Sequence, residues 1–122
     1  MKIGVTSTGE NLDADVDQRF GRCRYFIIVD TESMEFEALS NENAMASGGA
    51  GIQAAQTIAN KGVDAVITGN VGPNAFQTLS AAGIKIYTGA SGKIRETIDK
   101  CKRGELKETE SPNVGSHSGM MR

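Results

Sequence analysis

Three glycine-marked turns, Ser47-Gly48-Gly49-Ala50-Gly51, Gly69-Asn70-Val71-Gly72-Pro73 and Gly89-Ala90-Ser91-Gly92, each lead into a stretch with helical periodicity. Strand–turn–helix units repeated in series build a sheet with parallel strands and right-handed crossovers, so few folds remain open to the chain. Residues 50–61 place Ile52, Ala55 and Ala59 on one stripe, with Gly62 as the C-terminal stop. Pro73 opens the next helix, where its missing N–H is no loss, and Ala75, Phe76, Leu79 and Ala82 form the apolar face before Gly83. Residues 93–103 make a third helix, with Ile94, Ile98 and Cys101 inward.

The strands are equally local in their signals. Residues 2–7 are β-rich, and the apolar run Tyr25-Phe26-Ile27-Ile28-Val29 suits a central strand. Residues 35–40 alternate, with Phe36 and Ala38 on one face, as a half-exposed edge strand does. Residues 63–68 and 84–88 supply two more strands. The order β-β-β-α-β-α-β-α predicts a five-stranded mixed sheet with three helices. With the first strand pointing up, loops 8–23, 41–50, 69–74 and 89–93 all fall at the top. All three helix N-termini open there as well, at the carboxyl edge where open α/β sheets bind ligands. A helix N-terminus offers unpaired N–H groups and a partial positive charge, so such a rim suits an anion.

Composition narrows the function. A chain of 122 residues is one domain that buries about two-thirds of its unfolded surface. We place that α/β domain at residues 1–104 and expect a polar, flexible tail at 105–122. No apolar run nears the ~20 residues of a membrane span. The opening Met1-Lys2-Ile3-Gly4-Val5 reads directly as a strand, so a cytoplasmic protein without signal peptide is expected. A formal charge of −2 and the lack of tryptophan argue against nucleic acid as a partner. Cys23 and Cys101 make neither a disulfide framework nor a CxxC zinc signature.

Particular strings resemble the dinitrogenase iron-molybdenum cofactor biosynthesis family. They are Asp17-Gln18-Arg19-Phe20-Gly21-Arg22 with an aromatic at Phe26, Gly48-Gly49-Ala50-Gly51-Ile52-Gln53-Ala54-Ala55, and Gly62-Val63-Asp64-Ala65-Val66-Ile67-Thr68-Gly69. Gly72-Pro73-Asn74-Ala75-Phe76 and Ala82-Gly83-Ile84-Lys85-Ile86-Tyr87 complete the pattern, which covers residues 1 to about 106. The resemblance implies a ribonuclease H-like three-layer fold with strand order 3-2-1-4-5. It also implies a nitrogen-fixation accessory role: carrying nitrogenase cofactor precursors or related metal-binding clusters between donor and acceptor proteins. One position departs from that pattern. Where members handling the iron-molybdenum cofactor have a histidine before Phe-Gly, this chain has Arg19, which holds anions and ligates no metal.

Candidate residues follow. Arg19 and Arg22 flank Phe20-Gly21 in the loop over the rim and would bind a polyanionic cluster or phosphate. Gly48, Gly49, Gly51, Gly72 and Gly92 would allow close backbone approach, and Asn70 and Asn74 would add hydrogen bonds. Cys23, between Arg22 and Arg24, is expected to favour thiolate and to anchor metal, although a small apolar residue at a strand start fits the same position. His117 in the tail would close over a bound metal. Cys101 reads as core, and Met45, Met120 and Met121 as incidental soft donors. Asp13, Asp15 and Asp17 suggest a calcium loop, but Gln18 and Arg24 stand where an EF-hand needs glycine and glutamate, so a solvated acidic loop is the reading.

Two-metal hydrolysis needs several carboxylates on strands; the first strand has none, and Asp64 starts its own strand at the wrong end. The sole histidine lies in the tail, away from any nucleophile. The expectation is therefore no enzyme but a carrier for an anionic iron–sulfur or iron-molybdenum type cluster, a monomer or weak homodimer. Two other readings stay open: a small-molecule or phosphate sensor without metal, and an interaction module that uses the tail and edge strand 35–40.

Overall fold

The computed structural model describes residues 1–41 and 49–112. Strands β1 (Lys2–Ser7), β2 (Tyr25–Asp30) and β3 (Phe36–Ser40) precede helix α1 (Ala50–Asn60). Strand β4 (Ala65–Ile67), helix α2 (Pro73–Ala81), strand β5 (Lys85–Tyr87) and helix α3 (Ile94–Lys102) follow. The sheet order is β3-β2-β1-β4-β5. β2 runs antiparallel to β1 and β3, while β1, β4 and β5 are parallel. This is the expected topology, and the chain's order of elements is the expected one.

Strand alternation divides the core into two apolar layers, one on each face of the sheet. Phe26 and Ile28 face α1 and α2, meeting Ala54, Ala55, Ile58 and Leu79. Ile3, Val5, Ile27 and Val29 face the other way, toward Ile94 and Ile98 of α3 and toward Leu12 and Val16 of the long loop. Central β1 carries Gly4 on the α1 side. A Cβ there would stand 3.4 Å from Ile28 and 3.6 Å from Ile58, ordinary packing distances, so Ile28 and Ile58 pack closely around Gly4.

Helix phase differs from expectation in α1. Its buried residues are Ala50, Ala54, Ala55 and Ile58, whereas Ile52 and Ala59 are only partly covered. Ile58 is the largest buried side chain of the set and rotates the helix to seat itself under Gly4. In α2, Ala75 and Leu79 are buried, Phe76 packs at the margin, and Ala82 lies past the helix end and is exposed. In α3, Ile94 and Ile98 are buried as expected, Thr97 joins them, and Cys101 is half-buried against the same layer. Gly62 and Gly83 end α1 and α2 with φ of 72° and 77°, the left-handed conformation that closes a helix.

The two sheet edges are treated differently. Beyond Gly104, Leu106 packs on the α3-side core, and Glu108 bridges Tyr87 in antiparallel fashion. The Thr109 N–H donates to the Ile86 carbonyl at 2.7 Å, and the Thr88 N–H donates to the Thr109 hydroxyl at 3.1 Å. The first residues of the anticipated tail thus lie along β5. The opposite edge, β3, carries Phe36 at 41% exposure. No helix among the described residues is long and apolar enough to cross a membrane.

Ile58→Ala should lower unfolding free energy by about 2–5 kcal/mol, because the side chain is fully buried and its removal leaves a cavity in the core. Phe36→Ala should change it by less than about 0.5 kcal/mol. Urea titration followed by circular dichroism checks both.

Candidate functional site at the loop-crossed rim

Residues 8–24 run across the carboxyl edge of the sheet and touch every turn there. The loop first folds back on β1: the Thr8 N–H donates to Asp15 O at 2.9 Å and the Asp17 N–H to Thr6 O at 2.9 Å. It then meets the turn before α3, where the Val16 N–H donates to Gly92 O at 2.8 Å and Gln18 Nε2 to Ala90 O at 3.0 Å. Next it meets the turn before α2, with the Phe20 N–H on Asn70 O at 3.2 Å and Asn70 Nδ2 on Gln18 O at 3.1 Å. Last, Gly21 lies on the first turn of α1. A Cβ on Gly21 would stand 2.9 Å from both N and Cα of Gly51, so main chain rests directly on main chain. The described parts of the glycine turns, from Gly49 onward, do converge.

Convergence leaves the three helix N-termini in different states. The first N–H groups of α3 are already spent: Ile94 N–H donates to Ala14 O and Arg95 N–H to Leu12 O, both at 2.9 Å. The first intrahelical bond of α1 is Gln53 N–H to Gly49 O, and that of α2 is Phe76 N–H to Gly72 O. Their preceding amides have no partner within the helix, and neither terminus has a side-chain cap. The expectation of three open termini is therefore corrected at α3, while at α1 and α2, which lie side by side, no described residue makes a side-chain cap, and Gly21 lies against the Gly51 amide of α1. Gly49 and Gly72 are their N-caps.

Basic charge lies on the loop over these two termini. Arg19 is exposed and bridges Asn70 in parallel register. Its Nε is 3.5 Å from Asp17 Oδ1, which also accepts the Arg19 N–H at 3.0 Å. Asp17 is buried, unlike the exposed Asp13 and Asp15, so the three acids do not share a solvated face. The Thr6 hydroxyl holds this corner from below, donating to Asp17 O at 2.7 Å and lying 2.8 Å from the Thr68 hydroxyl. Asp13 pairs with Arg95 at 3.3 Å, outside the rim. Arg22 is exposed one residue past Gly21.

Cys23 departs from its expected chemistry. Its side chain is fully buried among Phe20, Phe26 and the α1–α2 layer. Burial, and then the nearby Asp17 charge, push its pKa up to about 12, so the thiol is neutral at physiological pH. The flanking Arg22 and Arg24, in the turn and bend that precede β2, are exposed while Cys23 is buried. They are neighbours in sequence without being electrostatic neighbours of the sulfur. Among the described residues, no three His, Cys, Asp or Glu side chains gather as a metal site. Gly51 is taken up by its contacts with Gly21 and with Ala75, 3.4 Å from where its Cβ would be, and the Gly92 carbonyl by Val16. Gly48, Met45, His117, Met120 and Met121 lie outside the described residues.

Asn41 is a residue that sequence reasoning passed over. Its buried amide donates to Gly21 O at 3.0 Å and to Cys23 O at 2.9 Å, which fixes the end of the crossing loop. Its sole local signal is an amide side chain directly after an edge strand.

The sequence profile of the dinitrogenase iron-molybdenum cofactor family matches residues 1–104. The apo form of the orange protein from Desulfovibrio gigas is 41% identical with a TM-score of 0.89, covering 92% of this chain and 95% of that one. A Thermotoga protein described as a candidate NifB protein is also 41% identical, with a TM-score of 0.78 and coverage of 92% and 97%. An uncharacterized protein of Methanocaldococcus jannaschii is 36% identical over 113 residues, 90% of this chain and 92% of its own length.

Gly21→Ala should destabilise the protein by about 1–3 kcal/mol, since the clash is with backbone. Amide exchange at Phe20 should speed up with it. Cys23 should resist alkylation in native buffer while half-buried Cys101 reacts, and both should react in denaturant. Because the folded pKa of Cys23 is raised from the ordinary 9.0, its contribution is fully present below pH 9 and is lost as pH rises toward 12. Stability measured across that window should fall less steeply in Cys23→Ala.

Proposed function

The chain belongs to the dinitrogenase iron-molybdenum cofactor family, and we propose that it is a non-catalytic carrier whose cargo is an anionic metallocluster. The observation that supports this most directly is the pair of uncapped N-termini, α1 and α2, beside a loop bearing Arg19 and Arg22. Free amides at a helix start and guanidinium groups both favour negative charge. The cargo is of the iron–sulfur or iron-molybdenum precursor type, received from and handed to cluster-assembly proteins in the cytoplasm.

The donor set supports one way of holding such a cargo. Cys23 is a buried neutral thiol, and no three-ligand cluster exists among the described residues. Recognition therefore rests on hydrogen bonds and charge from Arg19, Arg22 and the first-turn amides, with Asn74 exposed at the α2 terminus. On this reading the buried Cys23 is not a ligand. Such holding suits a carrier, because cargo leaves without a metal–ligand bond being broken.

The same hydrogen-bond donors favour a second reading, a site for a phosphate-bearing or other small anion without metal. Anaerobic reconstitution with ferrous iron, molybdate and sulfide, followed by desalting, metal analysis and visible absorption, separates the two. We expect retained metal and colour in the wild type and in Cys23→Ala. Arg19→Ala/Arg22→Ala should bind on the order of tenfold or more weakly, as loss of charge-assisted hydrogen bonds implies. Absence of uptake by the wild type, with rim amides shifting on addition of inorganic phosphate, would transfer the case to the second reading.

A further inference from the structure

We propose that the free edge of β3 docks an extended, lysine- or arginine-bearing segment of a partner protein as a sixth strand. Two backbone bonds set the phase of this edge. The Asp30 N–H donates to Glu35 O at 3.0 Å and the Asn41 N–H to Arg24 O at 2.9 Å. In the intervening antiparallel register, Glu37 opposes Ile28 and Leu39 opposes Phe26. Residues 35, 37, 39 and 41 thus spend their main-chain groups on β2. The N–H and C=O groups of Phe36, Ala38 and Ser40 point outward, and no described residue pairs with them. The other sheet edge is covered by Glu108 and Thr109.

Among the described residues only charge guards this edge, through Glu35 and Glu37. It holds no proline, no lysine and no bulge, the devices that usually discourage pairing. Phe36 is one of two large apolar side chains exposed among the described residues, the other being Met1. Beside it lies an open groove of about 320 Å³ lined by Lys2, Ile28, Asp30, Glu35, Phe36 and Glu37. Backbone amides and a phenyl ring are met by an incoming extended strand through main-chain bonds and alternate side chains.

Charge decides what that strand carries. Three carboxylates line the groove against Lys2, and Lys61 stands at its border, 3.3 Å from Glu37. The amides of Glu32 and Ser33 hold the Asp30 carboxyl below its ordinary range, so it stays charged. A second copy of this chain would bring the same carboxylates to the seam, and like charges facing across strands oppose pairing. A cationic strand removes that repulsion. The groove sits where β1 and β3 begin, at the opposite end of the sheet from the crossing loop, so a docked partner leaves the rim open.

The test uses the full chain labelled with nitrogen-15 and two blocked heptapeptides, one alternating lysine with valine and one alternating glutamate with valine. The lysine peptide should shift amides of residues 35–40, slow exchange at Phe36, Ala38 and Ser40, and weaken as salt is added. Glu35→Lys/Glu37→Lys should reduce its affinity about tenfold or more. Ala38→Pro, which removes one outward N–H at a position where an edge strand tolerates proline, should also abolish the protection while leaving distant resonances in place. Equal binding of both peptides, shifts confined to the rim, no shifts at all, or concentration-dependent pairing of the chain through β3 would each overturn the proposal.

Discussion

Gly21 resting on Gly51 is the contact from which the upper half of the molecule takes its shape. With no Cβ on either side, the crossing loop comes within main-chain distance of α1, and its preceding residues are drawn over the α2 and α3 turns. A single methyl at Gly21 would lift that arm. Asn41 holds the same arm from the β3 side by donating to the Gly21 and Cys23 carbonyls. The loop is long yet ordered because its polar backbone finds partners on β1, on the turns before α2 and α3, and on Asn41.

That order has a cost in binding capacity, and the cost falls unequally. Where the loop lends carbonyls to Ile94 and Arg95, the α3 terminus loses the donors an anion would use. Where the loop touches α1 and α2 it does so through glycine backbone and through Asn70, and the first-turn amides of those helices take no side-chain cap. Structural integrity and ligand affinity compete for the same N–H groups. Capping α3 from within frees the loop to span the other two termini without needing a ligand to hold it there.

The topology was legible because its signals are local: alternation in residues 35–40, Pro73 at a helix start, and glycines at helix ends. The gathering of turns at one edge then follows from strand direction alone. The state of each turn was not legible, since it depends on bonds such as Gln18 to Ala90 that join residues 72 apart. Cys23 shows the same limit at shorter range. Two arginines beside it in sequence suggest an activated thiolate, yet both are exposed on the turn and bend before β2 while the sulfur enters the core. The phase of α1 was misjudged because an alanine-rich helix has a shallow apolar stripe, and one large residue, Ile58, sets its rotation.

Arg19 connects these points to the family. A histidine at that place would offer an imidazole nitrogen to a metal, whereas a guanidinium offers only donors, arranged for oxygen or sulfur atoms that carry negative charge. Asp17 already holds the Arg19 amide and approaches its Nε, so the side chain is partly oriented before any cargo arrives. Orientation of that kind reduces the ordering cost of binding without creating a covalent bond to be broken at release. The buried thiol fits the same economy of contacts. A cysteine at the rim would add a nucleophilic sulfur there, and this chain instead places its sulfur in the core with Phe20 and Phe26.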